Sequence, residues 1–114
     1  MSQLGVLTIL TDNTGSATGN VYTPSVLASR GFAVQPVVKF QAYETGTGAI
    51  TATVVIEASN DNTYSSWVTL ATITLSGTTA VSDGYATIAN WPYVRAKCTA
   101  ISGTSASVTV TMSI

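Results

Sequence analysis

Residues 105–114 read Ser-Ala-Ser-Val-Thr-Val-Thr-Met-Ser-Ile, and their alternation decides the fold class. Ala106, Val108, Val110, Met112 and Ile114 fall on one side of an extended chain. Ser105, Ser107, Thr109, Thr111 and Ser113 fall on the other. Successive side chains of a strand point to opposite faces, so this period of two describes a strand with one core face and one wet face. A helix would scatter both sets around its axis.

The same pattern recurs upstream. Residues 92–101 set Val94, Ala96, Cys98 and Ala100 inward against Tyr93, Arg95, Lys97 and Thr99. Residues 50–58 set Ile50, Ala52, Val54, Ile56 and Ala58 against Thr51, Thr53, Val55 and Glu57. In residues 34–43, Val34, Pro36, Val38, Phe40 and Ala42 share a face. Pro36 has no N–H for a ladder, which places that strand on an edge or puts a bulge near the proline. From Trp67 to Leu75 the apolar parity runs through Val68 and Leu70 and then switches to Ile73 and Leu75, which predicts a bulge around Ala71. Residues 81–88 are a further candidate strand. Residues 4–11 are another, apolar on both sides as in a strand covered on both faces.

Turn-forming residues separate these runs: Asn13-Thr14-Gly15, Thr45-Gly46-Thr47-Gly48, Ser59-Asn60-Asp61-Asn62, Ser76-Gly77, Asp83-Gly84 and Ser102-Gly103. Short strands at such spacing predict a single all-β domain over residues 1–114. The expected form is a β-sandwich of about 7–8 strands with jelly-roll or immunoglobulin-like connections. Residues 21–30 are the least regular, suiting a long connection or one helical turn starting near Pro24. Residues 1–20 are a candidate extended N-terminal arm, with Leu7 and Ile9 as its apolar contacts.

Composition narrows the function. The 114 residues carry four basic and five acidic side chains, a net charge of -1, and no histidine. Nucleic-acid binding relies on clustered cations that neutralise phosphates, and these four are dispersed, so no nucleic-acid partner is expected. Charged residues make up only 8% of the chain, whereas 20 threonines and 13 serines supply the polarity. Such a surface is wetted easily, yet leaves no buried unpaired charge when a neighbouring protein covers it. The start, MSQLGVLTILTDNTG, has no basic leader and only a brief apolar stretch, so it does not read as a cleavable export signal. No segment reaches the roughly 20 apolar residues of a membrane helix, and no membrane partner is expected.

Chemistry is scarce too. Without histidine, neither a Ser-His-Asp nor a Cys-His arrangement can form, and the dispersed carboxylates offer no evident acid–base pair. The glycine-containing turns lack the lysine and following helix of a phosphate loop. Cys98 stands alone, which excludes an internal disulfide and suits a small buried side chain. Asn60-Asp61-Asn62 offers one carboxylate, too few for calcium, and reads as a turn. No enzyme activity, cofactor or metal is expected. The aromatic residues are the better signal. Tyr64, Trp67 and Tyr93 stand near loop ends, where rings anchor protein interfaces or stack on sugars. Trp67 suits core and contact equally, whereas Trp91 suits the core.

The stretches IEASNDNTYSSWVTLATITL and DGYATIANWPYVRAKCTAISG carry a recognisable pattern. A strand ends in Glu57-x-Ser59-Asn60-Asp61, Trp67 opens the next, and Trp91-x-Tyr93-x-Arg95 follows. Over about residues 55–103 this resembles small β-sandwich virion proteins of tailed bacteriophages, of the capsid decoration or cement type. The resemblance implies a protein made in the host cytoplasm and placed on the capsid surface, where it bridges capsid subunits. Its implied partners are the major capsid protein and copies of itself, as a dimer or trimer. Tyr93 and Arg95 join Trp67 and Tyr64 as candidate contacts. A similar arrangement occurs in discoidin-like carbohydrate-binding sandwiches, although this chain is shorter and lacks their cysteine pair. The alternative it raises is a tail, baseplate or fibre module that binds a glycan through Trp67 and the 59–66 loop.

Overall fold

Among the described residues the alternating runs form strands longer than the turn residues suggest. A computed structural model describes residues 6–13, 17–18, 37–60, 67–88 and 91–113, with side chains over 38–60, 67–87 and 91–113. These residues are all-β. The strands are β1 (Val6–Asn13), β2 (Ala17–Thr18), β3 (Val37–Ser59), β4 (Val68–Ile88) and β5 (Tyr93–Ser113). They form one antiparallel sheet in the order β1-β5-β3-β4, with β2 also paired to β5. The expected separators Thr45–Gly48, Ser76-Gly77, Asp83-Gly84 and Ser102-Gly103 lie inside strands instead of between them. Of the expected strand at 34–43, the described part from Val37 opens β3, which pairs with β4 and, from Lys39, with β5, so it is not an edge strand. The alternative of a bulge near Pro36 falls outside the described residues. Pro36 itself, residues 21–30 and Asp61-Asn62 lie outside the described residues.

Chain length shows that the long strands bend. At about 3.3 Å per residue, a straight β3 would run about 75 Å. Ile88 pairs with Val37 at one end of β3, and Tyr93 pairs with Ser59 at the other. Residues 89–92 alone join Ile88 to Tyr93, and five Cα steps reach at most about 19 Å. Similarly, Asn13 pairs with Val108 and Ala17 with Cys98. Four Cα steps cover at most about 15 Å, whereas a straight β5 would need about 33 Å between the two partners.

The bend has a residue-level cause. The described positive-φ residues are Gly48 (73°), Thr79 (64°), Gly103 (128°) and Ser105 (53°), and they fall on one line across the three long strands. There, residues 46–48 of β3 stand against Thr79 alone, between the pairs Thr45↔Ala80 and Ala49↔Thr78. On the other side, Thr45↔Ser107, Thr47↔Thr104 and Thr51↔Ser102 bracket two more register shifts. Extra residues and left-handed backbone turn a strand sharply without ending it. Ile50, 1% exposed, fills the inside of this corner.

On either side of the corner the inner-face side chains join one core. Val38, Phe40 and Ala42 precede it in β3, and Ala52, Val54, Ile56 and Ala58 follow it. Ile73 and Leu75 from β4, and Val94, Ala96, Cys98, Val108, Val110 and Met112 from β5, complete the cluster. Each fully buried Val, Leu, Ile, Phe or Met side chain there contributes roughly 1.5–3 kcal/mol. Two single-residue bulges adjust the parity. Leu70 is the extra residue of β4, between Ala71↔Ile56 and Thr69↔Glu57, beside the expected site at Ala71. Thr99 is the extra residue of β5, between Cys98↔Val54 and Ala100↔Thr53. Thr99 therefore turns Ala100 out to solvent, against the inward expectation, and brings Ile101 against the core.

Candidate functional site

The outer face of the sheet between the corner and the 60–67 connection gathers the aromatic and charged residues. Strand parity places Val55 and Glu57 of β3, and Tyr93, Arg95 and Lys97 of β5, on this face, because the even-numbered residues between them are buried. Pairing then sets Glu57 beside Arg95, Ser59 beside Tyr93 and Val55 beside Lys97. Trp67 enters immediately before β4, whose Val68 pairs with Ala58.

One side chain spans all three long strands. Arg95 Nε donates to Glu57 Oε1 at 2.8 Å, and the guanidinium carbon lies 3.9 Å from the centroid of the Trp67 ring. The flat cation thus starts on β5, pairs on β3 and stacks at the entrance of β4. Its planar, delocalised charge suits both contacts at once. The side chains of Arg95 and Glu57 keep 21% and 13% of their exposure, so the group is half-sheltered but reachable. What it offers is a flat platform in which the Arg95 and Glu57 charges offset each other, with Tyr93 and Lys97 alongside.

Of the candidate contacts, Trp67, Tyr93 and Arg95 come together here. Leu7 and Ile9 lie in β1, whose backbone pairs with β5 of the same chain, while their side chains are outside the described residues. Tyr64 is also outside them. Trp91, half-buried, packs against the core cluster. Glu57 is the site residue that the sequence reading left off its contact set. Its alternation pointed to the outer face, but its match to Arg95 depends on the β3–β5 register.

A second polar feature lies near the corner. Glu44 is 0% exposed, between Val81 of β4 and Val108 of β5, and neither carboxylate oxygen has a hydrogen-bond partner among the described residues. Burial pushes its carboxyl above the ordinary carboxylate range. Cys98 is buried, with its Sγ donating to the Ala100 carbonyl at 3.5 Å. Among the described residues, no three His, Cys, Asp or Glu side chains group as metal ligands, and no helix is long and apolar enough to cross a membrane. No protein-family model matches the chain, and no curated protein or solved structure matches it either.

Proposed function

We propose that this chain is a structural protein of a tailed-phage virion, a decoration or cement protein that sits on the capsid surface and bridges capsid subunits. The fold that goes with this reading is a β-sandwich in which one bent sheet supplies both layers, each long strand running through both. The two short connections, 13–17 and 89–92, support that form because neither can span a straight sheet.

The observation that carries the functional reading is the polarity of the outer faces. Ser and Thr dominate them, and two of the three charges around Trp67 already neutralise each other at 2.8 Å. A protein partner can cover the Arg95–Glu57 pair without stranding either of its charges, which is what the centre of a stable interface requires, and Lys97 then suits the polar rim. The resemblance over residues 55–103 supports the same reading. A protein that binds the assembled shell and not its free subunits stabilises the shell by mass action. So small a chain gains contact area by self-association, as a dimer or trimer, beside the major capsid protein.

The glycan-binding alternative needs an open aromatic face, and Arg95 already occupies one face of Trp67. Mass spectrometry and electron microscopy of purified particles test the proposal. The chain is expected on the head exterior in fixed stoichiometry; its absence from particles, or its presence on the tail alone, would overturn the decoration role.

A further inference from the structure

We infer that β4 is the edge through which two copies of this chain pair, antiparallel to one another, over Thr78–Thr87. This names the interface for the self-association proposed above and rests on that part of the reading, not on the virion. β4 closes the strand order, so one of its sides pairs with β3 and the other meets no described strand. Edge strands are ordinarily guarded by lysines, prolines or short length. β4 is 21 residues long, with no Lys, Arg or Pro and Asp83 as its one charge. Beyond the corner, its side chains are exposed on both faces at Ala80, Ser82 and Ala86 as well as at Asp83 and Tyr85.

The exposed large hydrophobic side chains point to the same edge. They are Tyr43 (48%), Val68 (50%) and Tyr85 (38%). Of these, Tyr85 lies within the Thr78–Thr87 stretch and Tyr43 stands directly opposite Ser82 of that stretch, whereas Val68 lies at the other end of β4. The occupant follows from charge and symmetry. A strongly acidic or basic partner would find nothing to neutralise along this edge, whereas a second β4 is equally neutral. An antiparallel pair of identical strands is self-complementary, closes at two copies and covers both edges together. Pairing β4 to β1 of a neighbour would instead be head-to-tail and would grow without closing. The register must keep the two Asp83 carboxylates from direct opposition, since facing like charges repel. Asp83 Oδ1 also accepts the Gly84 N–H at 2.8 Å, a local bond that competes with a ladder.

Sedimentation velocity on the purified chain tests the inference without any particle. A concentration-dependent dimer is expected. Ala80→Lys with Tyr85→Lys, which face each other when two β4 strands pair antiparallel over Thr78–Thr87, should weaken it about tenfold by setting like charges across the new ladder. Asp83→Asn should tighten it, and Ala100→Lys on β5 should leave it unchanged. Single cysteines at Ala80, Ser82 or Ala86 keep the test independent of the lysine variants' folding. Their oxidative cross-linking should peak at one position and fall away on either side. A monomer at every concentration, a mass growing beyond two copies, a dimer indifferent to the lysine pair, or a dimer that no β4 cysteine cross-links would each overturn it. A β4 dimer combined with absence from purified particles would refute the virion proposal alone.

Discussion

A Cβ placed on Gly103 would stand 2.6 Å from Cγ2 of Ile50, closer than real side chains approach. Gly103 also has φ +128°, a backbone region that side-chain-bearing residues rarely adopt. Both facts arise because β5 turns its corner over the Ile50 side chain. Gly103→Ala should therefore cost about 2–4 kcal/mol, combining backbone strain with overpacking. At Gly48, with φ +73° and nothing within 4 Å, the Ala substitution should cost only the left-handed penalty of about 1–2 kcal/mol. Urea unfolding of the two variants gives this order. Ile50→Ala in the Gly103→Ala background should recover part of the loss, a coupling that a double-mutant cycle reads directly.

The all-β class was legible because alternation depends only on local geometry. Val108, Val110 and Met112 are buried where the sequence placed them, and the parity switch near Ala71 is the bulge at Leu70. The continuity of the long strands was not legible. Gly46, Gly77 and Gly103 give the same local signal whether a chain reverses at a turn or bends within a strand, and only pairing with neighbours distinguishes the two. Thr99 misled the inward assignment of Ala100 for a related reason. A one-residue bulge in an alternating Thr/Ala stretch leaves no mark in composition. At the site, aromatic residues near loop ends pointed to Trp67 and Tyr93, but the Arg95–Glu57 match required a register between segments 38 residues apart.

The Arg95 platform makes a prediction about stiffness. Arg95→Lys keeps the charge but loses the flat stack on Trp67 and the geometry of the Nε contact with Glu57. The loss should be about 0.5–1 kcal/mol in thermal unfolding, with a shift in Trp67 fluorescence, whereas Glu57→Gln should cost a similar amount and leave the stack in place. A Trp67 signal indifferent to Arg95→Lys would show that the ring and guanidinium do not associate in solution.

Glu44 sets a pH dependence whose sign is unusual for a carboxylate. Burial without a hydrogen-bond partner raises its folded-state pKa above the unfolded value. Its stabilising contribution is fully present below the unfolded pKa and is lost as pH rises through the raised folded one. Urea midpoints measured from about pH 4 to pH 8 should thus include a downward step with rising pH. Glu44→Gln should remove that step. Glu44→Leu, which also removes the cost of burying the polar group, should raise stability at neutral pH. An unchanged profile in Glu44→Gln would mean that the carboxylate finds a partner or solvent when folded.

Cys98 reports whether the core opens locally or as a whole. It is 0% exposed on the inner face, opposite Val54 of β3 and two residues along β5 from Ala96. A thiol there reacts only from an opened state, and the long strands on both sides of the corner share one core, so no half of the sheet should open independently. Thiol labelling under native conditions should then slow in proportion to global stability and accelerate equally in Gly103→Ala and in a core variant such as Val54→Ala of matched ΔG. Labelling faster than global unfolding allows, and insensitive to Gly103→Ala, would instead mark the 93–102 part of β5 as a separate opening unit. The corner would then be a flexible joint instead of a rigid fold in the sheet.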